Sequence, residues 1–336
     1  TRAAAMSRGG DYVTSPEVHP VFGALVARQI HEGWQALSSP ATFDLVEAGG
    51  GRGLLARDIL AWARTHAPAF ADAMRYTLVE TSPILRDEQQ RTLAEIDLPG
   101  GAVTWREDLS SGISGIVLSN ELIDAFPVHR VVRRGDELLE VYVDRDGDRF
   151  IDHLGPLSTP ELRAYFDALG VLPGDGCYAE VNLTAGRWMA SVAASLQRGY
   201  VLTFDYGYEA RDLYAPWRRD GTLLCCYQQA ASSDPYQRVG RQDITASVDF
   251  TTLRRMGEDA GLRTLAMTDQ ASFLVRMGIG DGVAAASAAG GAQLEEYFAR
   301  RGIVLALVDP ARLGRITVLL QGKDVPDPPW RGFVDA

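Results

Sequence analysis

Apolar positions in the first half of the chain fall into short runs that alternate with helical stripes. Phe43-Asp44-Leu45-Val46-Glu47 reads as a short buried strand. Gly49, Gly51 and Gly53 follow on alternate positions, and Leu55, Ile59 and Trp62 then recur at helical spacing. A second unit repeats the order. Tyr76-Thr77-Leu78-Val79 ends at Glu80, and Ser82-Pro83 supplies an N-cap and a first-turn proline for another helix. Two strand–helix units in succession predict a parallel sheet. Ala102 to Trp105 adds a strand ending near Asp108, and Gly115 to Leu118 one ending at Ser119-Asn120. Tyr200 to Phe204, closed by Asp205-Tyr206-Gly207, and Ile316 to Leu320 complete the set.

Between the fourth and fifth strands the pattern changes. Val128 to Arg133 and Glu137 to Val143 flank Arg134-Gly135-Asp136, a hairpin signal, and Leu162, Tyr165, Phe166 and Leu169 then take helical spacing. Trp188, Val192 and Leu196 mark a helix leading into the fifth strand. The expected organisation is a core made of residues 1–127 and 199–323, an inserted segment 128–198 and a tail 324–336. Residues 206–247 have little periodicity but many Tyr, Arg, Gln and Asp, and read as a substrate wall. Residues 281–292 read as a flexible Ala/Gly/Ser loop, and Asp324 to Trp330 as a proline-rich tail. The fold class expected is α/β, with a Rossmann-like core.

The densest chemistry lies at the ends of the strands, where an open α/β sheet binds its ligands. In Glu47-Ala48-Gly49-Gly50-Gly51-Arg52-Gly53 the glycines let a ligand approach the backbone closely. A dinucleotide fingerprint would place its third glycine where Leu54 stands, and no Tyr-x-x-x-Lys spacing accompanies the loop. Nicotinamide chemistry is therefore disfavoured. Carboxylates beside glycines suit S-adenosylmethionine, which presents an ammonium, a carboxylate, a ribose diol and an adenine but no phosphate. Glu47 would face the amino-acid part, Glu80 the ribose hydroxyls and Asp108 the adenine amino group. Asn120, at the end of the fourth strand, serves both the cofactor and the catalytic segment Asn120-Glu121-Leu122-Ile123-Asp124-Ala125-Phe126-Pro127. There Glu121 or Asp124 would hold a cationic nucleophile or take its proton, with Glu180 and Asp205 as further acids. In-line methyl transfer needs alignment and desolvation rather than a covalent enzyme intermediate.

Composition narrows the partners. With 336 residues, 46% of them hydrophobic and 23% charged, the chain is long enough and apolar enough for a full globular core. Its net charge of -11 disfavours nucleic acid and anionic membrane surfaces and favours a basic partner. Five scattered histidines and three cysteines without C-x-x-C spacing suggest neither a metal site nor a disulfide framework, and fit a reducing cytoplasm. No apolar run reaches the ~18 residues of a spanning helix. The chain opens at Thr1 rather than a methionine, which leaves an N-terminal targeting signal open. Nothing in the sequence fixes the oligomeric state.

Taken in order, these segments resemble the MidA family. The likeness runs from Gly10-Asp11-Tyr12-Val13-Thr14-Ser15-Pro16-Glu17, where the family reads G-D-F-x-T-S-P-E, through Phe22-Gly23 and the Glu47 to Gly53 loop. It continues through Asn120-Glu121 with Asp124-Ala125-Phe126-Pro127, Asp205-Tyr206-Gly207, Asp234-Pro235, Asp243-Ile244-Thr245-Ala246 and Val248-Asp249-Phe250. Gln270, Phe273-Leu274, Gly278-Ile279, Asp309-Pro310 and Leu313-Gly314 extend it toward the C-terminus. The resemblance implies a doubly wound S-adenosylmethionine-dependent methyltransferase. Mitochondrial members of the family methylate protein arginine during respiratory complex I assembly. It also implies cofactor contacts for Thr14 and Ser15. Two positions depart from the pattern: Leu224 stands where an arginine is expected, and Gln229 where the family commonly has a histidine. An arginine-bearing protein segment is the first expectation for the acceptor. A small molecule of specialised metabolism is the second, and a non-catalytic assembly factor the third.

Overall fold

The computed structural model describes residues 13–228, 230–281 and 294–334. The chain divides into two compact units. The core unit holds Val13–Glu121, Val192–Asp205 and the described part of Gly261–Ala336; the second unit holds Leu122–Ser191 and Tyr206–Ala260.

The core unit is built on a seven-stranded sheet. Its strands are β1 (Phe43–Ala48), β2 (Met74–Val79), β3 (Val103–Arg106), β4 (Ile113–Asn120), β5 (Leu196–Asp205), β6 (Arg263–Asp269) and β7 (Thr317–Lys323). Their spatial order is β6-β7-β5-β4-β1-β2-β3. Strands β1 to β5 pair in parallel, whereas β7 runs antiparallel to both β5 and β6. The first five strands and β7 lie where their apolar runs predict. Strand β6 has only half-buried or exposed residues and no continuous apolar run to announce it.

Strand order reverses at β1, which pairs with β2 on one side and β4 on the other, and open α/β sheets bind ligands at such a point. Packing there is tight enough to demand glycine. A Cβ on Gly115 would come 2.0 Å from the Asp44 carbonyl oxygen, and one on Gly199 would come 1.9 Å from that of Gly115. Helix Val21–Ala36 presents Phe22, Leu25, Val26, Ile30 and Gly33 at helical spacing toward the core. A Cβ on its Gly23 would lie 2.5 Å from Asp58 Cβ, so a glycine is what allows helix Leu54–His66 its close approach.

The C-terminal segment is part of this core rather than a proline-rich tail. Trp330 is buried, with its ring 4.6 Å from Tyr200 in an edge-on contact, and Gly332 N–H donates to Gln29 Oε1 at 2.9 Å. One large aromatic side chain outweighs the extended preference of the surrounding prolines.

The second unit contains an antiparallel sheet in the order Arg149–Gly155, Glu137–Asp146, His129–Arg134, Tyr178–Val181. The expected hairpin is its centre, with Gly135 at φ 58° in the turn. Val131, Leu138, Leu162, Phe166, Val181 and Leu213 form its apolar cluster. Tyr206–Ala260 belongs to this unit, although its sequence pattern places it with the core. Within that stretch Leu224–Tyr227 pairs with both Ala230–Ser232 and Asp243–Thr245, and Gly207–Tyr208 pairs with Val248–Asp249. Strands of two to four residues are too short to show a period. The loop expected at 281–292 lies, apart from its first residue, outside the described residues. Among the described residues no helix is long and apolar enough to cross a membrane, and no group of three His, Cys, Asp or Glu could hold a metal ion.

The close approach at β1, β4 and β5 makes a direct prediction. Gly115→Ala should destabilise the protein by more than about 3 kcal/mol, because the clash is with backbone that cannot swing aside. Gly100→Ala, with nothing within 4 Å of its Cβ, should stay within about 0.5 kcal/mol of the parent. Urea unfolding midpoints of the two variants check this.

Candidate functional site

The glycine loop turns directly off the end of β1. Gly49, Gly51 and Gly53 have φ of 68°, 50° and 80°, the left-handed region in which glycine is at home. A Cβ on Gly50 would lie 2.6 Å from Leu78 Cδ2, so a side chain there would have to move that leucine. Gly53 is the N-cap of helix Leu54–His66, so Leu54 begins the helix.

Glu47, the next-to-last residue of β1, is almost fully buried and accepts a hydrogen bond from the Tyr76 hydroxyl at 2.5 Å. Burial pushes its carboxyl up to about 7, against the lowering effect of that hydrogen bond. The Tyr76 hydroxyl is driven well above its usual range by burial and by the neighbouring carboxylate. Glu47 is therefore poised to gain charge when a cation arrives.

Glu80 follows β2, and its carboxylate accepts from Ser82 N–H at 2.8 Å and from Gln89 Nε2 at 3.4 Å. Gln89 is wholly buried and reaches further. Its Nε2 donates to Gly51 O at 2.9 Å and its Oε1 accepts from Trp105 Nε1 at 2.9 Å, so one side chain braces the loop, the ribose candidate and β3. Asp108, beyond β3, is exposed and lines an open groove of about 370 Å³ with Trp105, Arg106, Glu107 and Leu109.

The N-terminal segment closes onto the same strand ends. Thr14 caps the single-turn helix Ser15–Val18, its N–H and hydroxyl both donating to Glu17 Oε2 at 3.0 and 3.3 Å. Ser15 is fully buried; its N–H donates to Glu121 Oε1 at 3.2 Å and its hydroxyl to Gln270 Oε1 at 3.0 Å. Its hydroxyl is thus engaged inside the protein. Arg52 ties the segment to the loop, lying 3.6 Å from Glu17 and 2.9 Å from Glu88.

At the end of β4, Asn120 Nδ2 donates to Glu121 Oε1 at 3.1 Å, while Asn120 Oδ1 is buried with no hydrogen-bond partner among the described residues. Glu121 sits at φ 50°, an uncommon conformation for a non-glycine residue, held by its N–H bond to Phe204 O at 2.8 Å. The donors and acceptors match S-adenosylmethionine: a buried acid, a loop with three glycines in the left-handed region, a second acid after β2 and an orphaned amide oxygen. Thr14, Glu47, Gly49, Gly51, Gly53, Glu80 and Asn120 are the residues that would hold it.

The division between the units falls between Glu121 and Leu122, so Asp124 belongs to the second unit. It is buried, and its carboxyl is pushed up to about 6 by burial and by the neighbouring charge of Asp243, against backbone hydrogen bonds that lower it. Asp124 lines a cavity of about 570 Å³ with a mostly apolar wall that includes Phe126, Val143, Phe150, Tyr236 and Ile244. Its main-chain carbonyl accepts from Ala246 N–H at 3.0 Å. On the polar side His129 Nδ1 lies 2.7 Å from Glu140 Oε1.

The reserve acids are placed differently. Burial raises the Glu180 carboxyl, although Thr222 donates to Oε2 through N–H at 2.7 Å and through its hydroxyl at 3.0 Å. Asp205 is wholly buried at the end of β5, in the core unit. Leu224 opens a strand opposite Thr245, and Gln229 lies outside the described residues. Gln89, Tyr76, Arg52 and Gln270 support these groups, and the sequence assigns them no role. Arg52 lies inside the glycine motif and Gln270 within the family resemblance, whereas Gln89 and Tyr76 make contacts that only the fold brings together.

This geometry agrees with comparisons to known proteins. The family model described as "Putative S-adenosyl-L-methionine-dependent methyltransferase" matches residues 25–268. The chain is 31% identical over 350 residues to "Protein arginine methyltransferase NDUFAF7 homolog, mitochondrial" of Drosophila melanogaster, covering 91% of this chain and 73% of that protein. It is 29% identical over 302 residues to the protein of Homo sapiens called "Protein arginine methyltransferase NDUFAF7, mitochondrial", covering 80% and 64%. The chain thus spans 73% of the length of the fly relative and 64% of the length of the human one. A Burkholderia thailandensis crystal structure described as a "likely methyl transferase", bound to S-adenosyl-homocysteine, superposes with a TM-score of 0.85 at 29% identity, covering 99% of this chain and 83% of that one. The chain belongs to this family of S-adenosyl-L-methionine-dependent methyltransferases.

Proposed function

We propose that the protein transfers a methyl group to an arginine guanidinium nitrogen of a partner protein. The observation that carries this reading is Asp124, a buried acid on the wall of a cavity large enough for a side chain and its neighbours. The names of the relatives support the acceptor, as does the net charge of -11, which attracts a basic segment.

Bound S-adenosylmethionine supplies an electrophilic methyl on a sulfonium and leaves as S-adenosylhomocysteine. The chain's own residues do the rest. Glu47 balances the ammonium of the amino-acid part, Glu80 accepts from the ribose hydroxyls, and Asp108 accepts from the adenine amino group beside Trp105. Asn120 offers its orphaned Oδ1 to the cofactor, and Thr14 closes the site. Ser15 contributes by orienting Glu121 through its N–H. Asp124 pairs with the guanidinium and takes the proton that the nitrogen loses as its new bond to carbon forms. Glu121 is the second acid of the catalytic segment.

A methylated small molecule is the alternative, favoured by Leu224 and Gln229 where the family pattern has a cation and a titratable ring. We place the reaction in the cytoplasm on the strength of three buried free thiols, a feature of reducing compartments; the relatives are named mitochondrial. Mass spectrometry for +14 and +28 shifts on arginine, comparing a deletion strain with its parent, tests the acceptor; loss of a methylated metabolite instead would overturn the protein reading.

Two further outcomes follow from the site. Because the Glu47 carboxyl sits near 7, binding of S-adenosylhomocysteine at pH 6.5 should release protons and bind more weakly as the pH falls. Calorimetry in buffers of different ionisation heat reads the release, and Glu47→Gln should remove it. Because the Asp124 carboxyl sits near 6 and acts when ionised, kcat/KM should fall through pH 6 and be about tenfold lower at pH 5. Asp124→Asn should lower kcat at least about a hundredfold at pH 7.5, with S-adenosylhomocysteine affinity unchanged. A flat pH profile, or turnover at the parent rate, would move the acid role to Glu121, Glu180 or Asp205.

A further inference from the structure

The cavity of the second unit has more apolar surface at its mouth than a guanidinium needs. Four of its lining residues are large apolar side chains left open to solvent: Val143 is 63% exposed, Val239 58%, Phe150 46% and Ile244 44%. They come from separate stretches of chain. Val143 and Phe150 lie on the neighbouring strands Glu137–Asp146 and Arg149–Gly155, Ile244 lies on Asp243–Thr245, and Val239 lies in the connection before it. A folded chain gains nothing by leaving four such groups around one opening, and clustered exposed apolar groups mark contact surfaces.

The walls are built to hold their shape. Tyr236 stands with its ring 6.1 Å from that of Phe150, and its hydroxyl donates to Asp152 Oδ1 at 2.5 Å. The same oxygen accepts from Arg130 Nη1 at 2.9 Å, so the guanidinium that lines the cavity already has a carboxylate partner. Glu140 is likewise matched to His129. Asp124 is left as the acid on this wall with a second carboxylate, Asp243, as its charged neighbour. The charge pattern disfavours an anionic occupant and favours a cation. The volume of about 570 Å³ lies in the range of sites that enclose a whole small ligand rather than one side-chain tip.

We infer that this cavity selects an arginine by its sequence context: the guanidinium pairs with Asp124 while bulky apolar residues beside that arginine cover Val143, Phe150, Val239 and Ile244. This rests on the protein-arginine reading above and adds the recognition rule for the acceptor segment, with Val143 and Phe150 as specificity-determining residues. Arginine segments flanked by small or charged residues bind poorly, because the mouth then stays wet and Asp124 is reached without the apolar contact. Burial of two apolar side chains on binding gives a preference of at least about tenfold.

The test uses the full chain and three capped tripeptides: Phe-Arg-Leu, Gly-Arg-Gly and Phe-citrulline-Leu, the last a neutral near-isostere of the first. Calorimetry at pH 7.5 should show Phe-Arg-Leu binding at least tenfold tighter than either of the others. Val143→Asp, a change at an exposed position, should remove the advantage over Gly-Arg-Gly and leave S-adenosylhomocysteine affinity within twofold. Phe150→Ala should reduce that advantage in the same direction. Asp124→Asn should remove the discrimination against citrulline and keep the apolar preference. Equal binding of Phe-Arg-Leu and Gly-Arg-Gly, no binding of any peptide at millimolar concentration, or a wild-type dimer that Val143→Asp converts to monomer would overturn the inference. Citrulline bound as tightly as arginine, with the apolar preference intact, would instead count against the arginine acceptor and leave the apolar mouth standing.

Discussion

The arrangement of the core unit depends on the close approach of β1, β4 and β5. At Asp44, Gly115 and Gly199 three backbones pass so near that a single added Cβ would strike a carbonyl oxygen. Such packing fixes the register of the central strands, and the register decides which residues emerge at their carboxyl ends. Glu47 pairs with Leu118, so Asn120 lies just two positions further along the adjacent strand. A shift of one residue would turn Glu47 to the opposite face of the sheet.

Burial is the main influence on two acids, one in each unit. Glu47 and Asp124 both have carboxyl groups raised by desolvation, to about 7 and about 6, and the causes of neither shift include an arginine or a lysine. Near neutral pH Glu47 is neutral in part, whereas Asp124 is mostly ionised. A cation binding beside Glu47 would therefore displace a proton. Surface ion pairs such as Arg145–Asp148 and Arg187–Glu161 contribute little, because solvent already stabilises both charges.

Bracing side chains bring separate motifs together at the ends of the strands. Gln89 meets Gly51, Glu80 and Trp105, and Ser15 meets Glu121 and Gln270. Apart from Glu80, nine residues before Gln89, these partners are distant in sequence from their brace. The braces are neutral side chains, and they hold these groups in place through hydrogen bonds.

The sequence by itself determined the parallel strands, the glycine loop, the acids at the ends of β1, β2 and β4, and the central hairpin of the second unit. All of these are written in short-range periodicity or in backbone conformations that only certain residues accept. Tertiary structure alone decided the rest. Strand β6 exists because β7 offers it hydrogen bonds, and the short strands of Tyr206–Ala260 form only against one another. Trp330 is drawn into the core by Tyr200 rather than by any neighbour in sequence. Asp124 looks, in sequence, like one turn residue among several. It becomes a raised acid on a cavity wall only when residues 124–130, 140–150 and 235–246 are folded together, because desolvation depends on what surrounds a group in space.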